Sequence, residues 1–201
     1  MKLRTNLLLT AALLITSTGV FDLRERTLEI QRYPDEPLQL VDLKVDGQSV
    51  KDRIVLKQKF ADRSQWSLDS VTFTEADDWY KRVSFRYRNV SDKTIYGVGA
   101  FLFFRPGGER NMFMVQLNTA TDLKTKQIEP GGEVELTVND LRLQPILEMM
   151  NQAGVDANKC EVSFSLDSAV YSEQLRWDRG HLLQPDPATP NKWIPVNGPR
   201  P

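Results

Sequence analysis

One histidine, His181, and one cysteine, Cys160, bound the chemistry this chain can perform. A Ser-His-Asp nucleophile can be drawn on paper from His181 and any serine. No Gly-x-Ser-x-Gly elbow surrounds a serine, however, and a single histidine beside Arg179 and Gly180 reads as a surface strand residue. Zinc needs three or four nitrogen or sulfur ligands, more than one His and one Cys supply. In Cys160-Glu161-Val162-Ser163-Phe164 the cysteine occupies a strand-like position, where it reads as a small buried hydrophobe, and no histidine close in sequence lowers its pKa. Gly97-Val98-Gly99 falls inside a strand pattern and Gly131-Gly132 lacks a following Lys-Ser or Lys-Thr, so neither reads as a phosphate loop. The expectation is a protein without a cofactor or a catalytic constellation.

Two other sets of residues allow binding chemistry. Asp77 and Asp78, or Asp167 and Asp186, offer oxygen ligands for calcium, but no spacing matches a dedicated loop. The plainer reading makes Asp77-Asp78 a turn and lets Asp186, between two prolines, bond to backbone. Trp66, Trp79, Trp177 and Trp193 present flat faces suited to sugars, although tryptophan at strand ends more often closes a core.

The elements that position these residues are organised around Trp79 to Phe104. Val83, Phe85 and Tyr87 alternate with Ser84, Arg86 and Arg88, the period of a strand with one dry face. Asn89 to Lys93 turns the chain, and a second strand runs to the Pro106-Gly107-Gly108 turn. The expectation is two long antiparallel strands joined by a loop. From Ile95 to Phe104 the second strand is apolar on both faces, with Phe101 and Phe103 on one side and Tyr96, Val98, Leu102 and Phe104 on the other. A sandwich strand needs one dry face, so the second must be covered by the Pro-rich tail, an N-terminal arm or a partner protein. Tyr96, Val98, Leu102, Phe104, Trp177 and Trp193 are the candidate binding surface.

Turn signals recur about every ten residues. Leu38 to Val45 stops at Asp46-Gly47, a hairpin signal, and Ile54 to Phe60 resumes in strand. Trp66 to Thr74, Met112 to Leu117, Glu133 to Val138, Lys159 to Tyr171 and Leu175 to Leu183 follow. Ile146, Met149, Met150 and Ala153 fall at helical spacing, with Pro145 suiting a first helical position and Gly154 the stop, so one helix is expected as a connection between sheets. Nine or so strands and one helix predict an all-β fold, an immunoglobulin-like β-sandwich.

Lys2 and Arg4, the apolar run Leu7 to Ile15 and Ser17-Thr18-Gly19 have the pattern of a signal peptide, 1–19, followed by an N-terminal arm at 20–37 with an edge strand at Thr27 to Gln31. The sandwich is expected over 38–184 and a Pro-rich strap over 185–201, with Trp193 buried against the sandwich. The apolar run is shorter than the roughly 20 residues that span a bilayer, which argues against an uncleaved anchor, and nothing later in the chain resembles a transmembrane helix, so no membrane span is expected after signal removal. The expected location is periplasmic or extracellular. Removing 1–19 leaves 24 bases and 27 acids, a formal charge of −3, which argues against nucleic acid as a partner.

Tyr33-Pro34-x-Glu36-Pro37-Leu38, Asp78-Trp79, Asn89-Val90-Ser91-Asp92-Lys93-x-Ile95, Trp177-x-x-Gly180 and Pro185-Asp186-Pro187-x-x-Pro190-x-x-Trp193-Ile194-Pro195 resemble a family of exported bacterial proteins of acidobacterial type. The resemblance covers residues 33 to 196 and implies a single immunoglobulin-like domain, with no assigned activity to carry over. Members often have an Asp-Gly-Thr type turn where this chain has Asp167 to Tyr171 followed by Ser172 to Arg176. The functional expectation is an exported, non-enzymatic binding or scaffolding module whose partner is another envelope protein. The alternative is a carbohydrate-binding or cell-surface module that takes a glycan on its aromatics.

Overall fold

The computed structural model describes residues 22–59, 66–107, 112–119, 127–171 and 174–196; the expected signal peptide lies outside them. The strands are β1 (Arg24–Arg32), β2 (Leu38–Val45), β3 (Gln48–Ser49), β4 (Val55–Lys59), β5 (Ser67–Glu75), β6 (Val83–Asn89), β7 (Ile95–Arg105), β8 (Phe113–Gln116), β9 (Asn118–Thr119) and β10 (Glu133–Thr137). One helix, α1 (Asp140–Gln152), precedes β11 (Glu161–Tyr171), β12 (Arg176–Asp178), β13 (His181–Pro185) and β14 (Trp193–Pro195). They form an all-β sandwich of two sheets.

The smaller sheet runs β3-β2-β6-β10-β9. The larger is built on β11, which pairs with β7 along one edge for its whole length. Its other edge is divided. The first half takes β1 in parallel, from Leu28 opposite Val162 to Gln31 opposite Ser165, and β1 leads on to β5 and β4. The second half takes β12, from Ser168 opposite Asp178 to Val170 opposite Arg176, which leads on to β13 and β14. The sheet therefore forks at Asp167.

Phe85 of β6 stacks on Phe164 of β11 across the two sheets, with ring centroids 3.9 Å apart, and Tyr80 meets Phe104 edge-on at 5.1 Å. Helix α1 connects the sheets as expected, buries Leu143 and Met150, and lies against β8. It starts earlier than expected. Asn139 caps it by accepting the Leu141 N–H at 2.8 Å, which leaves Pro145 inside the second turn. Its end is a Schellman turn, with Gly154 at φ +72° and Val155 N–H bonding to Met150 O.

Three expectations are corrected. β6 and β7 do not pair with each other; they lie in opposite sheets, and the polar stretch between them is a corner. Buried Asn89 organises it: its amide donates to Lys93 O and Ile128 O, both at 2.8 Å, and its Oδ1 accepts from Ser91. The strand expected at the edge, Thr27 to Gln31 of an N-terminal arm, is a nine-residue strand inside the larger sheet, with Leu28 and Ile30 fully buried. Only two apolar residues mark its inward side, because the third buried position on that side is Arg26. The C-terminal segment reaches the fold as β14, hydrogen-bonded to β13, so it extends the sheet sideways and does not lie over β7. Trp193, expected to be buried, is 38% exposed.

Candidate binding surface

The pairing of β7 with β11 decides which of its two apolar faces is the core. On β11, Val162, Phe164 and Leu166 alternate with Glu161, Ser163 and Ser165, so its dry face is unambiguous. Phe104 lies opposite Val162, Leu102 opposite Phe164 and Ala100 opposite Leu166. Residues directly opposite one another share a face, so these three β7 residues point inward and are buried. Phe101 and Phe103 point outward, half-buried, with centroids 6.1 Å apart.

The six expected surface residues therefore separate. Leu102, Phe104 and Trp177 belong to the core, and Val98 packs against it half-buried. Tyr96 and Trp193 are exposed, but β11, β12 and β13 separate their strands. Tyr96 escapes the core because it is a bulged residue: Val170 faces Gly97 and Tyr171 faces Ile95, which leaves Tyr96 unopposed and turns Ile95 inward.

Met114 of β8 lies opposite Phe103 and is 56% exposed; Gln116 lies opposite Phe101. Met112, Met114, Phe101 and Phe103 make an apolar strip on the outer face. The sequence signal for Phe101 and Phe103 existed in the alternation of β11, but using it requires the register. Helix α1 borders the strip, where Arg142 Nη1 donates to Gln116 Oε1 at 2.6 Å. Beyond Phe101 the face becomes polar. Ser165 Oγ donates to Asp167 Oδ1 at 2.5 Å, and Arg179 Nε donates to Asp167 Oδ2 at 3.0 Å. At the next row Gly99 faces Ser168, whose Oγ would lie 2.5 Å from a Cβ there, so any other residue requires the serine side chain to turn aside.

The outer face of the smaller sheet is charged and internally compensated. Arg88 bonds Glu133 at 2.6 Å, and Arg86 lies 3.5 Å from Asp42 and 3.8 Å from Glu133. The two outer faces thus differ in kind.

The remaining chemical candidates are engaged locally. His181 is exposed on β13, in register with Asp178. Cys160 is half-buried, its Sγ 3.5 Å from Asp156 O, and burial together with the nearby Asp156 carboxylate pushes its thiol up. It lines a cavity of about 350 Å³ with Arg26, Lys57 and Trp79. Arg26, buried there, donates to Asn158 O at 2.9 Å and pairs with Asp77. Asp78 is in the left-handed region at φ +62°; it accepts from the Tyr80 hydroxyl at 2.8 Å and pairs with Lys81 at 2.7 Å. Asp186 accepts the Ala188 N–H at 2.9 Å, the turn-holding role anticipated for it. Among the described residues no His, Cys, Asp and Glu group has a geometry that could hold a metal ion, and no helix is long and apolar enough to cross a membrane.

Comparison of the chain with protein-family models, with curated proteins and with solved structures finds no match.

Proposed function

We propose that the mature chain is an exported, non-enzymatic binding or scaffolding module of immunoglobulin-like type, which holds another envelope protein against the outer face of β7 and β8. The observation that carries this reading is the apolar strip of Phe101, Phe103, Met112 and Met114, set against a compensated, charged outer face on the other sheet. Aromatic and methionine side chains are the types enriched in protein interfaces. The two sheets with their buried faces packed together, and the corner that connects β6 to β7 between them, support the immunoglobulin comparison. In this reading the Pro-rich end serves as a strap that finishes the edge at β13.

The test is photocrosslinking from the outer face of the mature chain in the envelope of its source cell. A discrete adduct is expected, absent for Phe103→Glu and retained for Leu141→Glu, a fully solvated helix position used as control. An adduct that survives Phe103→Glu overturns the assignment of the face. The exposed Trp193 favours a second reading, a glycan platform on β14. A glycan array with Trp193→Ala as control tests it, and no saturable glycan binding removes it.

A further inference from the structure

At the end of the sandwich where β1 begins, the described chain starts at Asp22 on the rim of a cavity of about 680 Å³. Three other segments close around it: the Asp46 hairpin turn after β2, the end of β5 with Glu75 to Asp77, and Arg82 just before β6. Its wall is mainly apolar, and Leu23 stands on it 59% exposed. The charged groups around it do not balance. Asp22 pairs with Arg24 and Asp77 with Arg26, while Asp46 and Glu75 share Arg82, at 3.3 and 3.5 Å. Four carboxylates thus face three guanidinium groups, and one negative charge is left over beside an apolar wall.

The sequence holds the complement within two residues of that rim. The export reading removes residues 1–19 and so turns the uncharged peptide nitrogen of Val20 into an α-ammonium group, followed by the apolar Phe21. Two residues span at most about 7 Å, so neither the new charge nor the phenyl ring lies far from Asp22. Held on so short a tether, the amine meets these carboxylates at a high effective concentration. In the precursor the same nitrogen is a peptide amide, and the surplus charge remains.

We infer that this cavity is the binding site of the chain's own mature amino terminus, with the Val20 ammonium among Asp46, Glu75 and Asp77 and the Phe21 ring against the apolar wall. The inference rests on the export reading and is independent of the β7 and β8 face. Signal removal then completes this end of the molecule, because its last charge is made only when the signal is cut.

The test uses the mature chain, cut from a fusion so that Val20 is its first residue, beside the same chain acetylated on the α-nitrogen. A free α-amino group titrates at about 7.7 to 8.0; the surplus carboxylate should raise that of Val20 by about 0.5 unit or more, read by NMR of the isotope-labelled amine. Since the folded value lies above the unfolded one, the contribution of the amine is complete below about pH 8 and is lost as the pH rises through the folded value. The free chain should therefore show the higher urea midpoint at neutral pH, and the two chains should converge in alkali. Asp46→Asn, a residue type that suits the positive φ of that turn, should remove most of both differences. Phe21→Ser should lower the midpoint of the free chain. Equal midpoints for the free and acetylated chains, an amine that titrates at its ordinary value, or a Phe21→Ser chain as stable as its parent would each overturn the assignment. So would a midpoint that rises with calcium and ignores acetylation, which gives the acids to a metal ion instead. The acetylated chain decides the matter even where a variant fails to fold. A native start away from Val20 would refute the export boundary and with it the occupant of this site, whereas a missing envelope adduct would refute only the β7 and β8 docking.

Discussion

Alanine substitution along β7 tests the assignment of its two faces within one strand. Phe104 and Leu102 are fully buried, and Phe104 makes the edge-on contact with Tyr80. Phe104→Ala should cost about 3 to 5 kcal/mol and Leu102→Ala about 2 to 5, through lost transfer energy and the cavity left behind. Phe101 and Phe103 are half-buried on the outer face, so truncating either removes about half of a full burial, about 1 kcal/mol. With a urea dependence of about 2 to 3 kcal/mol/M for a chain of this size, the inward variants should lower the midpoint by about 0.7 to 2.5 M and the outward ones by no more than about 0.5 M. The midpoint should therefore rise and fall with a period of two from position 101 to 104. Equilibrium unfolding followed by circular dichroism and by tryptophan fluorescence measures it. Equal losses at all four positions, or larger losses at 101 and 103, would refute the register on which the outer face rests.

Burial pushes the hydroxyls of Tyr33, Tyr80, Tyr87 and Tyr171 above the ordinary tyrosine range. Because the folded values lie above the unfolded value of about 10, their stabilising contribution is complete below that pH and is lost as the pH rises past it, since the unfolded chain ionises first. Ultraviolet titration should show these tyrosines ionising together with loss of the folded circular dichroism; ionisation before unfolding contradicts the burial. Asp167→Ala leaves the buried Ser165 hydroxyl without its acceptor and frees Arg179, which is open enough to be hydrated, so a loss of about 1 to 3 kcal/mol is expected. Faster exchange should be confined first to β12 and β13, and uniform acceleration would argue against a role at the fork. Terminal sequencing of the native protein should find a start near Val20, and an intact Met1 would contradict export.

The parts of this fold legible in the sequence are those fixed by local chemistry. Asp46-Gly47 makes the β2 to β3 hairpin with both residues at positive φ, and Pro130-Gly131-Gly132 makes the turn before β10. The helix showed its stop at Gly154, but its inward side is Leu143 and Met150, not the expected stripe, since Met149 and Ala153 are exposed, and its true cap, Asn139, was hidden because Pro145 competes as a start signal. What the sequence does not show is which strand meets which. A polar loop after Asn89 serves a hairpin and a sheet-to-sheet corner equally well, and the corner is made by Asn89 bonding to Ile128, far along the chain. The face of β7 was ambiguous because both parities are apolar, so the choice rests on β11. The Ser165, Asp167 and Arg179 network depends on a bulge. Its trace in the sequence is the pair of consecutive polar residues Asp167-Ser168, where the alternation of β11 slips by one.

The place of β1 has a consequence for the order in which the molecule can assemble. β1 is the first described strand, yet it is closed on one side by β5 and on the other by β11. Arg26 is anchored on Asn158 O, 132 positions later. A chain emerging from its amino end can join β1 to β5 and β4, but the flank carrying Leu28 and Ile30 has no neighbour until β11 arrives. Contacts between such distant segments close slowly, because the intervening loop must be drawn together first. Throughout that interval an interior strand behaves as an open edge, the state most prone to pairing with another chain. A chain ending anywhere before Glu161 therefore lacks the middle of its larger sheet, not its margin.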